Sequence, residues 1–233
     1  ANAAWDQFSG PAGEMNLFYS DGSGGIGTYY GFSSWGVADL QSITSDNVTF
    51  ELLPNIDGYA DLPTQNPLNP LTQSDWRNNG GLGPDGNMWL ETTTLFRRNP
   101  IPNDYVSATF SFTVSTNDLD PRYSVIAFLR TRETSGDWNV VQPEEVTITT
   151  NGTYTLTIPN ILNTGTGYTL DAGFQMNGIN ANPATNWGSM TVTINQLDAA
   201  SDDLTKPEPN PMIFVTEPYA ISDAAISMTA SNA

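Results

Sequence analysis

Indoles and carboxylates are the chemistry this chain offers. Trp76, Trp138 and Trp187 stand in polar loop contexts: Ser74-Asp75-Trp76-Arg77-Asn78-Asn79, Ser135-Gly136-Asp137-Trp138-Asn139 and Thr185-Asn186-Trp187-Gly188. A large ring in such surroundings either stacks on the C–H face of a sugar while neighbouring Asn, Asp and Arg bind hydroxyls, or folds over a domain end as a lid. Trp35 and Trp89 lie in apolar, strand-like surroundings instead and are expected in the core. The chain holds 25 Asp and Glu against 7 Lys and Arg, with no histidine and no cysteine. That removes the usual general base, the usual transition-metal ligands and every disulfide, and leaves oxygen chemistry, which suits calcium.

Catalysis finds little support. Glycoside hydrolysis needs only two carboxylates about 5 to 10 Å apart. The adjacent pairs are Glu144-Glu145, whose side chains would point to opposite faces of a strand, and Asp202-Asp203, which sits in a linker with no pocket. No Gly-x-Ser-x-Gly elbow, phosphate loop or dinucleotide fingerprint occurs. The chain therefore reads as a non-enzyme. With one lysine, six arginines scattered through the body and a net charge of -18, it lacks the cationic stripe that nucleic acid requires. No run approaches the roughly 18 apolar residues of a membrane helix, so no membrane span is expected. The opening Ala1-Asn2-Ala3-Ala4 and the missing cysteine suggest a mature secreted product at the cell surface or beyond it.

The elements that must position these residues are strands. Runs 48–53, 108–114, 125–129, 145–149, 153–158 and 190–194 are β-branched or aromatic and are punctuated by Gly, Pro, Asn and Asp. Phe110, Phe112 and Val114 alternate with Thr109, Ser111 and Thr113, and Tyr154, Leu156 and Ile158 alternate with threonines, which puts apolar residues between two sheets. The pattern predicts an all-β, antiparallel sandwich over residues 1–199. Residues 54–84 read as a functional loop or flap, and 168–174 as a strand before a loop at 177–183.

Five landmarks resemble a jelly-roll module similar to the carbohydrate-binding modules of secreted multi-modular proteins from environmental bacteria. They are Met15-Asn16-Leu17-Phe18, Ser33-Ser34-Trp35-Gly36-Val37-Ala38-Asp39-Leu40, Gly86-Asn87-Met88-Trp89-Leu90-Glu91, Tyr123 to Leu129, and Gly173-Phe174-Gln175-Met176-Asn177-Gly178. The likeness spans about residues 14 to 197 and implies a jelly roll with a non-catalytic, glycan-associated role. Glu14, Asp39 and Glu91 lie in these segments beside core anchors, so they are the expected calcium ligands, with Asp21 in reserve.

Past the likeness, residues 200–211 form an acidic Pro-rich linker, and 212–233 carry two strand-like runs. Ile213 and Val215 mark the first; Ala224, Ile226, Met228 and Ala230 alternate along the second. A tethered strand of this kind can fill an open sheet edge in another copy and propagate head to tail. The leading expectation is thus a calcium-braced subunit, with itself as partner, that polymerises into an extracellular filament or surface layer by donating these strands. The other is a glycan-binding module, with polysaccharide as partner, whose tail folds back on its own sheet. Asn47-Val48-Thr49 and Asn151-Gly152-Thr153 match the glycosylation sequon.

Overall fold

The computed structural model describes residues 7–21, 25–56 and 85–202, which form eleven strands and no helix. These are β1 (Ser9–Ser20), β2 (Ile26–Trp35), β3 (Ser42–Ile43), β4 (Thr49–Leu52), β5 (Asp85–Arg98), β6 (Tyr105–Asn117), β7 (Ser124–Glu133), β8 (Val140–Ile148), β9 (Gly152–Ile158), β10 (Tyr168–Ala181) and β11 (Met190–Ser201). One sheet has the order β2-β1-β5-β10-β7-β8 and the other β3-β4-β11-β6-β9, all pairs antiparallel. From β4 onward the chain crosses from sheet to sheet at every connection except the β7–β8 hairpin. That wrap makes a jelly roll, as the likeness of the five landmarks implies, of the sandwich the alternation predicts.

The core forms where the two period-2 patterns face each other. β6 contributes Ala108, Phe110, Phe112 and Val114, and β10 contributes Leu170, Ala172, Phe174 and Met176, all buried in one cluster. Phe112 meets Phe174 edge-on at 5.0 Å between centroids and stacks on Tyr154 at 5.3 Å, geometries that add to simple area burial. In β11 the buried set runs Met190, Val192, Ile194 and then Leu197, Ala199, a phase slip that would turn Leu197 outward on a regular strand. A register shift against β6 between Ile194 and Gln196 absorbs the extra residue and returns Leu197 to the core.

Two expectations shift. β10 continues as strand to Ala181, through most of the expected 177–183 loop. β1, β2 and β5, at 12, 10 and 14 residues, build half of the six-stranded sheet. The body ends at Ser201. Trp76 with most of the 54–84 segment, and the assembly residues Ile213, Val215, Ala224, Ile226, Met228 and Ala230, lie outside the described residues.

Candidate functional site

The outward face of the six-stranded sheet is fixed by what turns inward. Leu17 pairs with Leu90, which pairs with Gly178, and all three face the interior. Strand alternation then sends Asn16, Glu91 and Asn177 outward as one row across β1, β5 and β10. The row continues to Phe32 on β2 and Ser124 on β7. Its members are tied together: Asn16 Nδ2 donates to Glu91 Oε2 at 3.1 Å, and Gln175 Nε2, from the next row, donates to Asn177 Oδ1 at 2.9 Å. On one side an aromatic row follows, Tyr29, Phe18 and Trp89, with Phe18 and Tyr29 edge-on at 5.3 Å. Tyr29 and Phe32 are 55% and 54% exposed, unusual for rings on a sheet edge unless something is meant to meet them.

On the other side lies a charged network. Asp171 of β10 is fully buried, and Arg97 of β5 grips it with two bonds, Nε to Oδ1 at 2.8 Å and a terminal nitrogen to Oδ2 at 2.9 Å. The same terminal nitrogen of Arg97 reaches Glu14 Oε1 at 2.9 Å. Arg132 of β7 closes the ring, donating to Glu14 Oε2 at 3.2 Å and lying 3.5 Å from Asp171 Oδ2. Glu14 and Arg132 start from strands three spacings apart, about 14 Å, so their side chains lie across the face. Gly173, between them on β10, is obligatory, because a Cβ there would collide with the Thr94 carbonyl oxygen. Burial opposes the Arg97 charge, but Asp171 and Glu14 outweigh it and raise its pKa well above the usual arginine value.

Trp138 roofs this network. The loop between β7 and β8 places it at φ 57°, and its carbonyl accepts from Arg132 Nε at 3.1 Å. The guanidinium carbons of Arg97 and Arg132 lie 5.0 and 5.4 Å from its ring centroid, and the residue keeps 36% of its surface exposed. It is therefore both lid and platform, held by the cations with part of its surface open.

The other expected positions fare differently. Trp187 is not a platform: it is 6% exposed, donates Nε1 to the Asn182 carbonyl at 2.9 Å, sits edge-on to Tyr123, and carries the Arg122 guanidinium 4.3 Å from its centroid. Its polar neighbours fold over it, so it closes the sandwich end. Trp35 packs against the buried Met15, Leu17 and Leu40 group as expected, whereas Trp89 is half-buried on the outward face, because its neighbours Met88 and Leu90 take the inward positions.

The three expected calcium ligands do not share a site. Both Glu14 oxygens are held by arginines, Glu91 accepts from Asn16, and Asp39 is exposed in the turn after β2. Asp21 accepts from the Gly25 amide through its side chain. Among the described residues no three acidic side chains converge on a metal position. Three of the six arginines, Arg97, Arg130 and Arg132, share one face, a feature that reading along the chain missed. Asn47 and Asn151 are both exposed, and Asn151 Nδ2 donates to the Ser115 carbonyl. Glu144 and Glu145 are exposed on β8. A small recess lined by Leu90, Thr92, Met176 and Ile179 has a cavity volume of about 10 Å³, far below the size of a small-molecule pocket.

The fold is a β-sandwich. No family model matches the sequence, and no curated protein matches it. A solved structure from a study of the promiscuous specificity of carbohydrate-binding modules of the beta-sandwich superfamily is similar at 12% identity. The match covers 82% of this chain and 86% of that one, with a TM-score of 0.31. No helix among the described residues is long and apolar enough to cross a membrane.

Proposed function

We propose that this chain is a non-catalytic, extracellular glycan-binding domain whose ligand lies along the outward face of the six-stranded sheet. The observation that carries the reading is the row Asn16, Glu91, Asn177 on adjacent strands, flanked by exposed rings on β2 and by Trp138 across the face. Amides and a carboxylate offer both donors and acceptors, which a sugar's hydroxyls need, and aromatic surfaces suit its C–H faces. Apart from Trp138, which the β7–β8 loop carries, the side chains arise from strands, so their spacing is set by the sheet and little ordering is required on binding. An extended face also accommodates a polymer, which an enclosed pocket would not. Retention on a panel of polysaccharides tests this: Trp138→Ala and Asn177→Ala should each weaken binding to the responsive polymer while leaving the melting temperature within a few degrees. Unchanged retention in both variants would rule the face out.

Assembly through donated C-terminal strands is a second reading, favoured by one feature. Among the described residues β2 and β8 are the edge strands of the six-stranded sheet, and β2 exposes Ile26, Tyr29 and Phe32. Such an edge invites another strand unless it is protected. Calcium bracing belongs to the same proposal, although Glu14, Asp39 and Glu91 stand apart and would not bind one ion together.

A further inference from the structure

The charged network leaves one cation over. Arg97 and Arg132 are satisfied by Asp171 and Glu14, two guanidinia against two carboxylates. Arg130 points to the same face, since its register partner on β10 is Asp171. Its Nε is buried without a hydrogen-bond partner, and no carboxylate among the described residues reaches ion-pair distance of it. Its guanidinium carbon lies 4.0 Å from the Phe128 ring centroid, so the ring fixes its position. Burial and the neighbouring Arg132 both press its pKa down, partly offset by Asp171, Glu145 and Glu14. An unpaired, partly desolvated cation is costly, and a bound anion would relieve it.

We propose that Arg130 receives the carboxylate of an acidic sugar, which makes the face selective for uronate-bearing polysaccharides; this rests on the glycan reading above. The neighbouring groups favour a sugar acid over a peptide carboxylate. Arg130 and Arg132 are two residues apart on one strand, about 6 to 7 Å, and Trp138 lies over Arg132. A pyranose carrying a carboxylate can thus rest its ring toward Trp138 and its acid on Arg130, whereas an aspartate or glutamate side chain would use only the cation. The net charge of -18 does not forbid this, because exposed charges beyond about 8 to 10 Å are largely screened at physiological salt.

The test uses the whole chain with polygalacturonate and its fully methyl-esterified form, which share a backbone and differ in charge. The acid should bind at least about tenfold more tightly than the ester. Arg130→Gln should erase that preference while leaving ester binding unchanged, and Arg130→Lys should restore part of it. Equal binding of acid and ester by the wild type, or an unchanged ratio in Arg130→Gln, would overturn the proposal and leave the glycan reading standing. If no polysaccharide in a broad panel binds, both readings fall. Competition by a synthetic peptide of residues 202–211, with no effect from free galacturonate oligomers, would assign Arg130 to an acidic segment of another copy and overturn the sugar acid.

Discussion

Replacing Asp171 with alanine should destabilise the body severely, and the size follows from its surroundings. The carboxylate is fully buried and is contacted by Arg97 twice and by Arg132 once. Removing one member of a buried ion pair costs about 3 to 5 kcal/mol, because the other charge is left without a counterion. Arg97 and Arg132 keep Glu14 and are 20% and 15% exposed, so water softens the loss and the lower end, about 3 kcal/mol, applies. For a body of this length each kcal/mol moves the midpoint by about 2 to 4 °C, which gives a fall of about 6 to 12 °C in a thermal melt. Asp171→Asn keeps the volume and one acceptor and should lose less. Because the pair is shielded, the gap between wild type and Asp171→Ala should persist in about 1 M salt, where exposed pairs are screened away. A melting temperature within 2 °C of wild type, or a gap that vanishes in high salt, would refute the view that this network is a buried structural clamp.

Further outcomes follow from the same geometry. Trp187→Ala should cost about 3 to 5 kcal/mol of stability, measured by urea titration, because it empties a buried site at the sandwich end; a melt like that of wild type would return Trp187 to the surface. If calcium braces the body, stripping it with chelator should lower the melting temperature by several degrees, as saturation at a hundredfold excess over Kd adds about 2.7 kcal/mol; superimposable curves with and without millimolar calcium would exclude it. If the C-terminal strands assemble copies, Ile226→Asp with Met228→Asp should convert polymer into folded monomer by light scattering, and a wild type that is monomeric at every concentration would end that reading.

How far the sequence speaks depends on the range of the interaction. The core of β6 and β9 is legible because Phe110, Phe112, Leu156 and Ile158 alternate within a few residues, and alternation is a local signal. β1 is poorly legible, since its opening Ser-Gly-Pro-Ala-Gly has little strand character and is held there by pairing with β2 and β5. Trp89 was expected inside on its apolar neighbours, yet those neighbours are what turn it out. Trp187 misled in the opposite sense, for its Asn and Gly context reads as open loop until the Asn182 carbonyl and Tyr123 are seen to enclose it. Glu14 reads from the sequence as a calcium ligand, but both its oxygens are held by arginines that only the sheet register brings near it. Arg97, Arg130 and Arg132 come together only through the register of β5, β10 and β7, long-range pairing that no window along the chain contains.

Amide chemical-shift mapping with an oligosaccharide of the responsive polymer reads every strand of both sheets at once and so locates the bound glycan. A ligand on the outward face of the six-stranded sheet should concentrate perturbations on Asn16, Glu91, Gln175, Asn177 and Trp138, with the five-stranded sheet silent. Perturbations confined to β4, β6, β9 and β11, or to the sandwich end around Trp187, would contradict that placement.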